Sequence, residues 1–178
     1  MNSRNFILKP FSGSTLPPFE IGGSFSRQGH TLDLTFRLLG RMTDIEVPPP
    51  GGGSSRRIGL WENTCFEFFI GPRNSSRYWE FNLSPSGDWN VFRFETYRQG
   101  LYEEKAFISF PFKVRIQPDS LGVALKIDLD FISPAVQPLE MAVSAVIKNR
   151  AGELSYWALT HPGPEVDFHH RDSFIIKL

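Results

Sequence analysis

The sequence predicts an all-β protein folded as a two-sheet antiparallel sandwich of the jelly-roll kind. Three observations lead there. About eleven short runs read with a period of two, the signature of strands with unlike faces. Turn-forming residues punctuate those runs at regular spacing. No long stretch keeps a helical period, and Ala-Glu-Lys-Leu stretches are absent, which leaves sandwich architectures as the natural class. At 178 residues a single domain over 1–178 is expected, large enough to bury a core without staples.

In chain order, residues 5–9 form an edge strand ended by Pro10, and a Ser/Gly/Pro-rich connection breaks at Pro17-Pro18. Residues 20–27 and 31–39 pair as a hairpin around Gln28-Gly29-His30. In its second arm Leu32, Leu34, Phe36 and Leu38 share one face, while Thr31, Asp33, Thr35 and Arg37 take the other. The segment 47–57, a Pro run followed by a Gly run, excludes a helix or a central strand. It lacks the Gly-Lys-Ser/Thr ending of a phosphate loop and leads into a strand. It is expected to be a loop beside Trp61, placed to act as a lid.

Three strand-like runs follow within 60–94, and then an irregular connection over 95–100. Residues 112–117 and 121–129 make a second hairpin across Pro118-Asp119-Ser120. The stretch 130–140, with two prolines, holds a short helical turn. Residues 141–149 form a strand that Asn149-Arg150-Ala151-Gly152 turns into 154–159, and 173–178 closes the sheet.

The functional signal lies in 60–94. Phe66, Phe68 and Ile70 fall on one side of the first run, and Cys65, Glu67 and Phe69 on the other. In the second run Trp79, Phe81 and Leu83 oppose Tyr78, Glu80 and Asn82. In the third, Phe92 and Phe94 oppose Val91, Arg93 and Glu95. Paired as a meander, the three runs are expected to present a wall of Phe, Trp and Leu on one face. The other face then carries Glu67, Glu80, Asn82 and Arg93 in one patch, suited to a polar ligand.

Composition excludes several classes. With 19 basic and 19 acidic residues the chain lacks the basic footprint of a protein held by nucleic-acid phosphates. The single cysteine, Cys65, has no internal disulfide partner and reads as a buried thiol. Met1 to Phe6 has no apolar signal core and no run reaches the length of a membrane span. A cytoplasmic protein with neither nucleic-acid nor membrane partner is therefore expected.

Several strings resemble the DOMON-like domains related to the family 9 carbohydrate-binding modules. They are Leu60-Trp61-Glu62-Asn63-Thr64-Cys65-Phe66-Glu67-Phe68-Phe69, the run from Tyr78-Trp79-Glu80-Phe81 to Asp88-Trp89-Asn90, Tyr156-Trp157-Ala158-Leu159-Thr160-His161-Pro162, and Asp167-Phe168-His169-His170-Arg171-Asp172-Ser173-Phe174. The likeness runs over nearly the whole chain. It implies a sandwich that binds a sugar or a haem and does no chemistry alone. It also implies that Trp61 and Trp157 stand where two tryptophans clamp a sugar ring, with polar side chains of neighbouring strands on the hydroxyls.

The candidate ligand-binding set is Trp61, Glu67, Glu80, Asn82, Arg93, Trp157 and His161, for a carbohydrate or another small polar ligand. Aromatic faces suit the axial C–H patches of a pyranose, and charged groups suit its hydroxyls. The rival for Glu67 or Glu80 opposite Arg93 is a cross-strand ion pair. Read as a glycosidase pair, the two carboxylates would need a set separation; binding without hydrolysis is the expectation. No cofactor or metal is expected. The haem alternative would draw axial ligands from His161, His169, Met42 or Met141. His169 and His170 are adjacent and on extended chain point opposite ways. A further alternative is an accessory domain whose aromatic face docks on a partner enzyme.

Overall fold

Alternation sets the architecture. Leu32, Leu34, Phe36 and Leu38 repeat at every second position of one strand, so one face of that strand must be covered. The structure, a computed structural model, describes residues 3–11, 19–49, 54–132 and 137–178. Among them are strands β1 (Arg4–Ile7), β2 (Lys9–Pro10), β3 (Glu20–Gln28), β4 (Thr31–Leu39), β5 (Cys65–Pro72), β6 (Tyr78–Leu83) and β7 (Trp89–Phe94). They continue as β8 (Tyr102–Glu103), β9 (Phe112–Gln117), β10 (Ser120–Asp128), β11 (Leu139–Lys148), β12 (Leu154–Ala158) and β13 (Ile176–Lys177). One sheet runs β1-β3-β4-β10-β9. The other runs β2-β12-β11-β5-β6-β7-β8, with β13 beside β11. No helix among the described residues is long and apolar enough to cross a membrane.

The main core lies between the sheets. The alternate leucines and Phe36 of β4, with Leu121, Val123 and Ile127 of β10, meet Phe66, Phe68 and Ile70 of β5 and Trp79, Phe81 and Leu83 of β6. Phe68 and Phe81 are register partners and stack with centroids 4.3 Å apart. A second, smaller core covers the opposite face of the same strands. Phe69, Tyr78, Phe92, Phe94 and Ala142 pack there against Phe174, with Phe168 at the border. The central strands β5 and β6 are therefore buried on both faces.

The two expected hairpins stand, as β3–β4 and β9–β10. Cys65 is a free, buried thiol. Other expectations shift for local reasons. Pro10 pairs with Trp157 in β2 instead of only ending a strand, at a sheet edge where a missing N–H is tolerated. Residues Leu60–Glu62 form a 3-10 turn, and β5 starts only at Cys65. The two-residue strand β8 is too short to show a period. The Pro/Gly loop over 47–57 falls in part, at 50–53, outside the described residues. Its last residues are held on β7, with Trp89 N–H donating to Ser55 O at 3.0 Å and Arg57 N–H to Trp89 O at 2.9 Å.

Gly23 permits the close packing of β3 on β4. A methyl group there would overlap the Thr35 carbonyl oxygen and press on the Phe6 ring. Gly23→Ala is expected to lower unfolding stability by about 1–3 kcal/mol, the usual cost of overpacking, measured by urea denaturation; unchanged stability would contradict this packing.

Candidate ligand-binding site

Strand parity builds the site. On the face of β5 turned from the main core stand Cys65, Glu67 and Phe69, and on β6 Tyr78, Glu80 and Asn82. Glu67 lies opposite Asn82, and Phe69 opposite Glu80, so the two glutamates are diagonal neighbours. On the other side β11 sets Ser144 opposite Glu67, and β12 sets Tyr156 opposite Val146. Above this floor lies an open cleft of about 740 Å³. Glu67 and Glu80 border its bottom. Trp61, Phe94, Tyr156 and Phe168 form its aromatic walls, and Arg98 and His169 join them from two loops.

Local sequence explains how the walls are held. Trp61 projects from the turn Leu60–Glu62, which Gly59 enters with a left-handed φ of 78°, a conformation glycine adopts without strain. Leu60 anchors the turn in the interior. Thr64 ties its far end, donating to Glu46 O at 2.7 Å and accepting from Lys148 N–H at 3.2 Å. Trp61 stays 37% exposed and meets Phe92 edge-on at 6.0 Å.

The opposite wall is a clamp between two loops. Asp167 accepts from the Tyr97 hydroxyl at 2.6 Å and from Arg98 Nη2 at 2.9 Å. These charge-assisted bonds are stronger than neutral ones. Arg98 takes a positive φ of 53°, and its N–H donates to the Tyr78 hydroxyl at 3.1 Å. That hydroxyl lies 2.9 Å from His169 Nδ1. Burial keeps the Tyr78 hydroxyl protonated, pushing it up to about 12. The imidazole of His169 stays neutral, its value lowered to about 4 chiefly by burial and then by the Arg98 charge. A protonated Tyr78 hydroxyl that already accepts from Arg98 N–H can donate to Nδ1 of the neutral ring, whose Nε2 lies 3.7 Å from Glu80 Oε2.

The floor is electrostatically unusual. Glu67 is 3% and Glu80 6% exposed, and carboxylates are seldom buried without a partner. Burial pushes the Glu67 carboxyl well above the usual carboxylate range, and the neighbouring Glu80 charge adds to the shift. Ser144 lies near enough to ease it slightly, yet neither its Oγ nor Glu67 Oε1 makes a hydrogen bond of proper geometry. Burial also raises Glu80, to about 7, against the opposing pull of Asn82 and Arg98. Asn82 Nδ2 donates to Glu80 Oε1 at 2.7 Å. On this floor burial therefore biases both carboxyls toward their protonated form.

Of the residues expected from sequence, Trp61, Glu67 and Glu80 meet at this cleft. Asn82 shares their face but lies beneath, orienting Glu80. Arg93 does not join them: it pairs in register with Trp79 on the face that carries Phe81 and Val91. There it reaches Glu95 at 3.2 Å and Glu104 at 3.7 Å, so the expected four-residue patch does not form, nor does an ion pair with Glu67 or Glu80. The outer face of β7 carries Asn90, Phe92 and Phe94 instead.

Trp157 is 5% exposed and part of the main core, with Nε1–H donating to Ser155 Oγ at 3.0 Å. It does not face Trp61; its neighbour Tyr156 borders the cleft. His161 sits at the β2–β12 edge, its Nε2 2.9 Å from Lys9 O and its ring against Phe11. Met42 and Met141 are in the main core, so no two of the haem-ligand candidates border the cleft. Phe94 and Tyr156 were within reach of parity, once β7 and β12 are faced correctly. Arg98, Phe168 and His169 come from loops and carry no local signal for this placement.

No family model matches the chain, and no curated protein matches it. Solved structures do. A candidate carbohydrate-binding protein from Bacteroides uniformis aligns over 96% of this chain and 84% of its own, at 13% identity and a TM-score of 0.66. A family 9 carbohydrate-binding module from Caldicellulosiruptor kristjanssonii in complex with cellotriose covers 90% of this chain and 74% of its own, at 10% identity and a TM-score of 0.57. A family 9 module from the same organism in complex with glucose covers 86% and 73%, at 10% identity and a TM-score of 0.54. At such identities the likeness is one of fold: this chain shares the two-sheet antiparallel β-sandwich of these structures.

The raised carboxyl makes stability depend on pH with a definite sign. Folded Glu80 keeps its proton up to about pH 7, whereas a carboxyl at the usual 4.5 releases it earlier, so its contribution is lost as pH rises through that window. His169, held neutral down to about 4 instead of 6.5, contributes stability that is lost as pH falls through its own window. Glu80→Gln removes the first effect, with the push of the Glu80 charge on Glu67, and leaves the His169 contribution. The variant is expected to exceed the wild type by up to about 3 kcal/mol at pH 8, with the advantage gone near pH 4. Urea denaturation at both pH values measures it, and an equal advantage at the two would contradict the assignment.

Proposed function

We propose that the chain is a non-catalytic carbohydrate-binding module whose ligand, a mono- or disaccharide, lies in the cleft above β5 and β6. A part-exposed indole, Trp61, at the lip of a pocket floored by two buried carboxyls carries this reading. A pyranose ring offers apolar C–H patches to Trp61 and its hydroxyls to Glu67 and Glu80. Burial biases the Glu67 carboxyl toward its protonated form, in which it can donate as well as accept. The volume of about 740 Å³ lies within the range of small-ligand pockets. The complexes of the structural neighbours with glucose and cellotriose support the same ligand class.

The chain is further read as a DOMON-like branch of this fold. Binding without hydrolysis fits the two carboxyls better than a catalytic pair does. Both stand on rigid strands of the sheet, and Glu80 has its partner already in Asn82. One aromatic stack adds about 0.5–1.5 kcal/mol beyond burial, and each hydrogen bond to a charged group about 1.5–3 kcal/mol. Less the ordering costs, this sums to micromolar-class affinity at best.

Calorimetry with glucose and cellobiose tests the reading. Wild type should give saturable heat, Trp61→Ala should bind about tenfold more weakly or worse, and Trp157→Phe, altered in the core, should keep its affinity. An absence of heat from wild type at millimolar sugar would reject the proposal.

A further inference from the structure

Building on the sugar-binding reading, we infer that the preferred ligand is an amino sugar, whose ammonium group sits between Glu67 and Glu80 on the floor of the cleft. The first support is charge imbalance within the lining. Three carboxyl residues, Glu62, Glu67 and Glu80, border the cleft against a single guanidinium, that of Arg98. Arg98 is already committed to Asp167 at 2.9 Å, and His169 is spent on Tyr78. No cation among the described residues pairs with Glu67.

The second support is independent of that count. Glu67 is 97% buried by its 3% exposure, borders the cleft, and has an oxygen, Oε1, without a hydrogen-bond partner. A buried carboxyl in that state is stabilised by a proton or by an arriving cation. An ammonium carries three donors, enough to reach both glutamates and leave one for a ring hydroxyl or water. The walls are compatible with a positive charge as well, since Trp and Tyr rings attract cations and Trp61 and Tyr156 border the cleft. A plain hydroxyl in the same place brings the acidic floor no charge.

Binding of this kind exchanges a cation for a proton. The amino sugar enters charged, and a proton held by the raised carboxyls of Glu67 and Glu80 leaves to solvent. The groups facing that pair are Cys65 on β5, Tyr78 on β6, Ser144 on β11, Arg98 and His169 from the loops, and Glu62 at the mouth. His169, whose value is lowered to about 4, does not take up the proton near neutrality; it is released, not passed on.

The test is calorimetry of the full chain with glucosamine, glucose and N-acetylglucosamine at pH 7, each in two buffers of different ionisation enthalpy. Glucosamine should bind about tenfold more tightly than glucose, the ratio expected when a neutral hydrogen bond becomes a charge-assisted one. It alone should show a buffer-dependent heat that marks proton release, and N-acetylglucosamine should gain nothing. Glu67→Gln should erase the preference for glucosamine over glucose. Should that variant fail to fold, Glu80→Gln is expected to reduce the same preference. Equal affinities for glucosamine and glucose in the wild type would overturn the inference and leave sugar binding standing. Silence with all three sugars would overturn sugar binding itself, and this inference with it.

Discussion

Two carboxyls buried side by side without a cation are the constraint to which this structure answers. Glu67 and Glu80 share the face of β5 and β6 that looks away from the main core, and a sheet face of that kind is ordinarily solvated. Here it is covered. Phe174 and Phe168 lie over Phe69, Tyr78 and Phe94 as a second apolar layer, and the loop clamp of Tyr97, Arg98 and Asp167 fixes that cover in place. The cover stops short of the glutamates, leaving them under a cleft instead of under side chains. Desolvation then raises both carboxyls, and Asn82 offsets only part of the cost at Glu80.

The sandwich makes such a site tolerable. The opposite face of the same strands is packed by Phe66, Phe68, Trp79 and Phe81 against β4 and β10, so β5 and β6 are fixed from beneath whatever happens above. Hydrophobic burial over that interface is large compared with the penalty of one strained carboxyl pair. The floor of the cleft is consequently rigid strand, while its walls are a short turn at Trp61 and the clamped loops. Rigid polar groups at the bottom and adjustable aromatic groups at the lip suit a small ligand that presents both C–H and O–H surfaces.

Much of this is legible in the sequence, and the failures have physical causes. Alternation in β5 and β6 assigned both glutamates and Asn82 to one face correctly, because there the polar and apolar positions differ sharply. In β7 the alternation holds, but both faces carry large apolar residues: Trp89 and Val91 on one, Phe92 and Phe94 on the other. The lone charged residue, Arg93, then reads as outward when it in fact lies on the inner face near the sheet edge, where Glu95 and Glu104 meet it. In β12 the adjacent Tyr156 and Trp157 point oppositely, and parity within so short a run does not say which one the core takes; the register with β11 does. The loop residues Arg98 and His169 belong to contacts more than sixty residues apart in sequence, which no local pattern can reveal. The strands were readable, and their coverings were not.

The chain has four tryptophans, and they divide sharply: Trp79, Trp89 and Trp157 are in the core and Trp61 is at the cleft. Their indole N–H resonances in a nitrogen-15 correlation spectrum, followed while glucose is added, put the question of where a sugar sits directly. The account predicts a saturable shift of the Trp61 signal with the other three nearly still. A shift centred on Trp157, or four unmoved signals at saturating sugar, would contradict it.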